Sequence, residues 1–181
     1  MGVMSWPLLS LVVWIPVLAG AVLLFVPEAR SSLGRGIALV TGLVAFALSL
    51  VLLAGFELGT AAYQFQEKVV WIAAFDIHYH LGVDGFSLPL IVLTALTTVL
   101  VVIAAGSVTQ RVNQYLGAFL ILSGLMSGMF AALDAMLFYV FFEAMLVPMF
   151  LIIGIWGGPN RIFATIKFFL FTFFGSVFML I

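Results

Sequence analysis

Six long apolar runs dominate the sequence, and they leave very few folds open to it. Each run is close to the roughly 20 residues that a helix needs to cross the hydrocarbon core of a bilayer. The runs cover residues 8–26, 36–56, 86–106, 116–133, 135–155 and 162–181. Because lipid offers no partner for free backbone groups, spanning segments fold as helices or closed barrels. The runs therefore predict an all-α membrane protein, a bundle of six transmembrane helices.

Composition excludes a soluble domain and several classes of site. The chain is 66% hydrophobic and 7% charged, whereas soluble domains have roughly 45–50% apolar and about 25% charged residues. The net charge is −1, and no cluster of Lys or Arg forms a patch for nucleic acid. The sequence has no cysteine, so it offers no disulfide and no thiolate ligand for an iron–sulfur cluster or zinc. We expect no cofactor-binding or metal residues in this chain.

The longest polar connection lies between the second and third runs. From residue 75 to residue 83, apolar and polar residues alternate, which is typical of a strand, and "YQFQEKVVWI" upstream can pair with it. The pattern predicts a short β-hairpin in this loop. Asp76, His78 and His80 would then share one face. A solvated hairpin face is the more common explanation of that pattern, and a metal site is the alternative.

The basic residues predict how the bundle is oriented. They concentrate at one end of the bundle, in the first, third and fifth loops: Arg30, Arg35, Arg111 and Arg161. The second and fourth loops contain only Lys68 among several acidic residues. Because short loops rich in Lys and Arg stay in the cytoplasm, we expect the N-terminus outside and the hairpin in an outer loop.

The segment "FYVFFEAMLVPMF", residues 138–150, carries one carboxylate in an apolar run. At 1.5 Å per residue, Glu143 lies about 12 Å beyond Ala135, near the middle of the membrane. A charge at that depth costs at least about 2.5–3.5 kcal/mol, so it faces a partner or a water-lined cavity. Burial favours the protonated carboxyl and a nearby cation the ionised one, so Glu143 could exchange protons. The alternative is a neutral glutamic acid hydrogen-bonded between helices.

Three further residues near this segment have open interpretations. Pro148 cannot donate to the carbonyl of Ala144, which gives either local access to the carboxylate or a packing kink. Lys167 lies roughly 8 Å inside the sixth run, where it either extends its ammonium to the surface or joins a proton path toward Glu143. Asp134 precedes the fifth helix and is expected to cap it, with a contact in the proton path as the alternative.

The fourth run contains a stripe of small residues at helical spacing. Its members are Gly117, Gly124, Gly128 and Ala131. Small residues on one face let helices approach closely in lipid. We expect another helix to pack tightly against this one.

Three segments carry a resemblance to a known family: "LGVDGFSLPLIVLT", "LFYVFFEAMLVPMFLIIGIWGG" and "IKFFLFTFFGSVFMLI". They resemble the chain M family, the antiporter-like membrane subunits of the proton-pumping NADH–quinone oxidoreductase (respiratory complex I). Members of that family are longer. The resemblance therefore implies that residues 1–181, taken as one transmembrane domain, correspond to the N-terminal third of a family member.

The resemblance also implies roles for individual residues. Glu143 matches the family's proton-transfer glutamate of the fifth helix, whose partner lysine lies on the seventh helix, beyond Ile181. Lys167 matches the "KFF" position of the sixth helix. Phe171 departs from the pattern because a tyrosine is expected there, and the departure removes one hydroxyl.

The function implied by the resemblance is that of a translocase subunit. Such a subunit carries part of a proton path and holds no redox cofactor, while NADH, flavin, iron–sulfur clusters and quinone belong to other subunits. Its partners would be other membrane subunits, the lipid bilayer and protons, in a bacterial inner membrane. A subunit of a multi-subunit cation/proton antiporter is the alternative, and a scaffolding subunit a third. Glu143 fits the first two equally, whereas "GVDGFSLPL" and "FFEAMLVPMF" favour the respiratory complex.

Overall fold

The structure is a bundle of six helices with one β-hairpin, seen in a computed structural model that describes residues 7–180. The elements in chain order are α1 (Leu8–Phe25), α2 (Ser31–Ala54), β1 (Gln64–Ile72), β2 (Ile77–Val83), α3 (Ser87–Ala104), α4 (Val112–Ala131), α5 (Ala135–Trp156) and α6 (Arg161–Leu180). All six helices are long and apolar enough to cross a membrane. The predicted fold class is confirmed.

The helix ends differ from the apolar runs by a few residues. The largest differences are at α2, which begins at Ser31 instead of residue 36, and at α4, which begins at Val112 instead of residue 116. Backbone hydrogen bonds do not require apolar side chains, so a helix continues into polar sequence beyond the hydrocarbon. Residues 1–6 and 181, including the last residue of the predicted sixth helix, lie outside the described part. The extent of the domain stays a prediction.

Helix α4 lies at the centre of the bundle, in contact with α1, α2, α3 and α5. Its predicted small-residue stripe is a packing surface. A methyl group added at Gly117 would lie 2.7 Å from the carbonyl oxygen of Gly20, and one at Gly124 would lie 2.4 Å from that of Val13. Only a residue without a side chain fits at these two positions, because α1 meets α4 there backbone to backbone.

The predicted strand pair is confirmed. Strands β1 and β2 are antiparallel, with His80 opposite Lys68, and the pairing is interrupted by irregularities in register. Leu81 and Val83 of β2 are fully buried, whereas most of β1 is exposed. Asp76 adopts a left-handed conformation (φ 54°) in the turn before β2, so it lies outside the alternation of His78 and His80. Within residues 7–180, no three His, Asp or Glu side chains come together as metal ligands.

The hairpin is fastened to the beginning of α1 by a carboxylate. Pro7, which precedes α1, makes no side-chain cap. Glu67 of β1 replaces that cap: its Oε1 accepts hydrogen bonds from the backbone N–H of Leu9 at 2.8 Å and of Ser10 at 3.3 Å. The Ser10 hydroxyl bonds the same carboxylate, and the hydroxyl of Tyr79 lies 3.0 Å from the Ser10 hydroxyl. The first free amides of α1 are thus satisfied from a distant strand.

Candidate functional site

Glu143 lies half-buried on α5 and contacts α6. Its Oε1 forms a hydrogen bond with the hydroxyl of Ser176, which is 4% exposed. The same hydroxyl lies 2.8 Å from the carbonyl oxygen of Phe173, three residues earlier on α6. The carboxylate therefore has a polar partner inside the bundle, as the cost of a membrane-embedded charge requires.

Equal depth brings these two residues together. Helices α5 and α6 are antiparallel neighbours joined by the short loop 157–160. Glu143 lies 13 residues before the end of α5 at Trp156, and Ser176 lies 15 residues after the start of α6 at Arg161. At 1.5 Å per residue, these offsets are about 20 and 22 Å from the same turn. Because the two side chains also lie on the facing sides of α5 and α6, they come into contact.

Tyr139 lies one helical turn from Glu143 on α5. It precedes Glu143 by four residues, so the two share a face of α5. Sequence reasoning missed both Tyr139 and Ser176. The spacing of four residues signalled the first, and equal distance from the α5–α6 turn signalled the second.

Pro148 does not end α5. The helix is continuous from Ala135 to Trp156, with Pro148 buried inside it. Proline still removes one backbone donor, so the carbonyl of Ala144 lacks the hydrogen bond that residue 148 of a regular helix would donate. That carbonyl lies one residue from Glu143, and the fold tolerates it inside the helix.

Lys167 lies away from Glu143. It precedes Ser176 by nine residues, which at 100° per residue places it about 180° around α6 and roughly 13 Å along it. Its ammonium lies 5.8 Å from the ring centre of Phe163 and 5.9 Å from that of Phe171, within cation–π range. The side chain is exposed. The described residues provide no hydrogen bond or ion pair between Lys167 and Glu143, so a role in the path stays a prediction.

Asp134 caps α5 and also holds the hairpin. Its Oδ1 accepts from the backbone N–H of Met136 at 2.9 Å and of Leu137 at 3.2 Å, and its Oδ2 accepts from that of His78 at 3.1 Å. The bond from His78 is the main cause that holds the pKa of Asp134 below its ordinary value, and the helix amides add to it. The predicted cap is confirmed. A contact in the proton path is not tested by this geometry.

His80 lies on β2, where its backbone carbonyl oxygen accepts a hydrogen bond from the N–H of Leu133, the residue before Asp134, at 2.9 Å. Burial, the ammonium of Lys68 and the imidazole of His78 lower the pKa of His80, while the carboxylate of Asp134 opposes them. Its Nε2 lies 3.1 Å from the side-chain oxygen of Gln66. The surroundings of His80 thus favour its neutral imidazole, whereas those of Asp134 favour its ionised carboxylate.

Comparisons with known proteins agree with the sequence motifs. Residues 132–181 match a family described as "NADH:quinone oxidoreductase/Mrp antiporter, TM". The chain is 48% identical to NADH-quinone oxidoreductase subunit M of Rhodobacter capsulatus, over 96% of this chain and 34% of that protein. It is 43% identical to NADH-ubiquinone oxidoreductase chain 4 of Arabidopsis thaliana, over 96% and 35% respectively. The chain thus spans about a third of the length of these relatives.

The fold is also found in solved structures. A chain of "Respiratory complex I from Thermus thermophilus with bound NADH" matches with a TM-score of 0.80 and 33% identity, over 95% of this chain and 34% of that one. A chain of an archaeal membrane-bound sulfane sulfur reductase has the same fold at 17% identity, with a TM-score of 0.71. The resemblance inferred from the three motifs is confirmed.

Proposed function

We propose that this chain, a relative of the antiporter-like membrane subunits of NADH–quinone oxidoreductase, carries part of a proton path through the membrane. The observation that supports this proposal is the contact between Glu143 and Ser176. Glu143 is an ionisable group in the apolar part of the helix bundle, about 20 Å from the α5–α6 turn. Such groups inside membranes are costly, and they mark ion and proton pathways.

The chemistry of the site fits proton transfer. A carboxyl inside the bundle can hold a proton as COOH and can release it as COO⁻ when a cation approaches. The partner expected from the family resemblance is a lysine beyond Ile181. When that ammonium is near, it stabilises the ionised carboxylate; when it withdraws, the carboxyl takes up a proton. Glu143 would thus relay one proton in each cycle.

The redox chemistry is assigned to other subunits. The sequence contains no cysteine, and residues 7–180 bring no set of three potential metal ligands together. Without cysteine, the chain offers no thiolate ligand for an iron–sulfur cluster. We assign NADH, flavin, clusters and quinone to partner subunits, with which this chain would form the membrane part of the enzyme.

A cation/proton antiporter subunit remains the second candidate. The matching family includes antiporter subunits by its description, and Glu143 serves either role. The names of the relatives that are 48% and 43% identical favour the respiratory complex. Coupling distinguishes the two, because only the respiratory enzyme moves protons in response to NADH oxidation.

We also propose that the chain lies in a bacterial inner membrane with its N-terminus outside. The bacterial relatives support the membrane. Four arginines lie at the end of the bundle opposite the hairpin: Arg30, Arg35, Arg111 and Arg161. Positively charged loops favour the cytoplasm, so the hairpin would face outside.

The Glu143→Gln variant of the full-length chain tests the main proposal. Glutamine keeps the size and hydrogen-bonding capacity of the side chain and removes the titratable proton. In sealed vesicles with the assembled complex, we expect NADH-driven proton pumping to fall by about 100-fold or more, the scale of a lost proton-transfer group. The amount of assembled complex should be unchanged.

Glu67→Gln is the matched control, because it makes the same chemical change at a carboxylate that caps α1. Its pumping per assembled complex should stay near the wild-type rate. Near-normal pumping by the Glu143→Gln complex would make Glu143 a structural residue and would contradict the proposed function. The antiporter would be favoured if the wild type showed cation/proton exchange but no NADH-driven pumping, and if Glu143→Gln lost that exchange.

A further inference from the structure

Ser176 has one hydroxyl hydrogen and two acceptors within reach. One is Oε1 of Glu143, and the other is the carbonyl oxygen of Phe173 at 2.8 Å. A hydroxyl can donate only one hydrogen bond, although it can also accept. The two contacts can therefore be hydrogen bonds at the same time only if Glu143 supplies the second hydrogen.

The number of available hydrogens distinguishes two arrangements of the same heavy atoms. When Glu143 is protonated, its O–H donates to the hydroxyl oxygen of Ser176, and the serine donates to the carbonyl of Phe173. When Glu143 is ionised, the serine hydroxyl turns and donates to the carboxylate. The carbonyl of Phe173 then keeps only the helical bond from the amide four residues later.

We propose that the Ser176 hydroxyl is a two-position partner of Glu143, which turns when the carboxyl gains or loses its proton. The inference deepens the proposed function and rests on it. No covalent bond of Ser176 changes: the proton leaves Glu143 to the base that takes it, and the serine keeps its own hydrogen. Because both states are hydrogen-bonded, neither leaves a buried polar group without a partner.

The chain offers a close control in Ser49. Its hydroxyl also donates to a carbonyl three residues earlier, that of Phe46 at 2.7 Å, and it is 0% exposed. No other hydrogen-bond partner of this hydroxyl is found in residues 7–180. Ser49→Ala therefore removes the same kind of bond within one helix and leaves Glu143 untouched.

The first measurement is spectroscopic. In infrared difference spectra of the full-length complex between acidic and alkaline pH, the C=O band of protonated Glu143 is identified by its loss in Glu143→Gln. We expect this band to move to higher wavenumber in Ser176→Ala, because the carboxyl proton loses its acceptor. It should stay in place in Ser49→Ala and Ser176→Thr, which both leave a hydroxyl at position 176.

The second measurement is NADH-driven pumping by the same complexes in sealed vesicles. Ser176→Ala should lower the rate by about tenfold, the scale of one charge-assisted hydrogen bond. Ser176→Thr should restore the rate to within about twofold of the wild type, as Ser49→Ala should also. If Ser176→Ala fails to assemble, Ser176→Thr and Ser176→Val form the pair, because they have nearly the same shape and differ in the hydroxyl.

The outcomes separate this inference from the function on which it rests. An unmoved band, or pumping near the wild-type rate, in the variant without a hydroxyl would show that Ser176 only packs beside Glu143. If Glu143→Gln stops pumping in the same preparations, the proposed function stands in that case. Normal pumping by Glu143→Gln would contradict the proposed function itself and the two-position role with it.

Discussion

Two regions of this molecule hold carboxylates against helices, and they differ in whether backbone amides are among the donors. At the hairpin, Glu67 and Asp134 accept hydrogen bonds from backbone amides of α1, α5 and β2, and Glu67 also accepts one from the hydroxyl of Ser10. Inside the bundle, Glu143 is bonded to the hydroxyl of Ser176. A backbone amide can only donate, and its direction is set by the helix or strand. A hydroxyl can donate or accept, and it can rotate.

This difference bears on the proposed role of Glu143 in proton exchange. Fixed donors favour the charged form, as the lowered pKa of Asp134 shows. A rotating hydroxyl can bond to either form. We therefore expect the hairpin carboxylates, which have fixed amide donors, to fasten elements together, and we propose that Glu143, which is bonded to a hydroxyl, changes its protonation state.

The largest change expected at the hairpin is that of Asp134→Ala. The variant leaves the amides of His78, Met136 and Leu137 without their acceptor, so we expect a loss of about 2–3 kcal/mol in the stability of the assembled chain. The measurement is the temperature at which the complex dissociates in detergent. Asp134→Asn should keep most of the stability, because asparagine is also a good N-cap.

Pumping per assembled complex distinguishes the two interpretations of Asp134. If the residue only caps α5 and holds the hairpin, the rate in Asp134→Asn stays near that of the wild type. A stable Asp134→Asn complex that cannot pump would place Asp134 in the proton path and remove the contrast with Glu143.

Glu67→Gln should have a smaller effect, about 1 kcal/mol, because the amide oxygen can still accept from the first turn of α1. What the glutamine loses is the charge, which favours a position beside the N-terminus of a helix. Thermal dissociation of the complex measures the effect. A loss as large as that of Asp134→Ala would mean that the hairpin depends on the charge at α1 as much as on the cap at α5.

The smallest effect is that of acid on the wild type. Because the pKa of Asp134 is lower in the folded chain, the ionised carboxylate adds stability above its ordinary value of 3.8, and this is lost as pH falls through the folded pKa. The loss should stay below that of Asp134→Ala, since a protonated carboxyl still accepts hydrogen bonds. Thermal dissociation measured against pH checks this. A decline that begins well above pH 4, or one that Asp134→Asn leaves unchanged, would assign it to other groups.

Much of the fold could be predicted because its causes are local in the sequence. Apolar runs of membrane length predicted six helices, and alternation from residue 75 to residue 83 predicted a strand. The glycines of α4 predicted a tight packing surface, and Asp134 before an apolar run predicted a cap. The alternation went wrong at Asp76, because a left-handed turn precedes β2 there and shifts the residue out of the strand.

By itself, the sequence determined which segments cross the membrane, which loop forms the hairpin and that Glu143 requires a partner. The tertiary structure decided which partner that is. Ser176, the hydrogen-bond partner of Glu143 within residues 7–180, lies 33 residues further along the chain. Lys167, whose predicted alternative was a place in a proton path toward Glu143, lies about 180° around α6 from Ser176. Glu67 likewise finds its partner in a distant segment: it caps α1 at Ser10, which lies 57 residues earlier in the chain. Composition and spacing report the cost of burying a group, but only the packing of distant segments brings together the atoms that offset it.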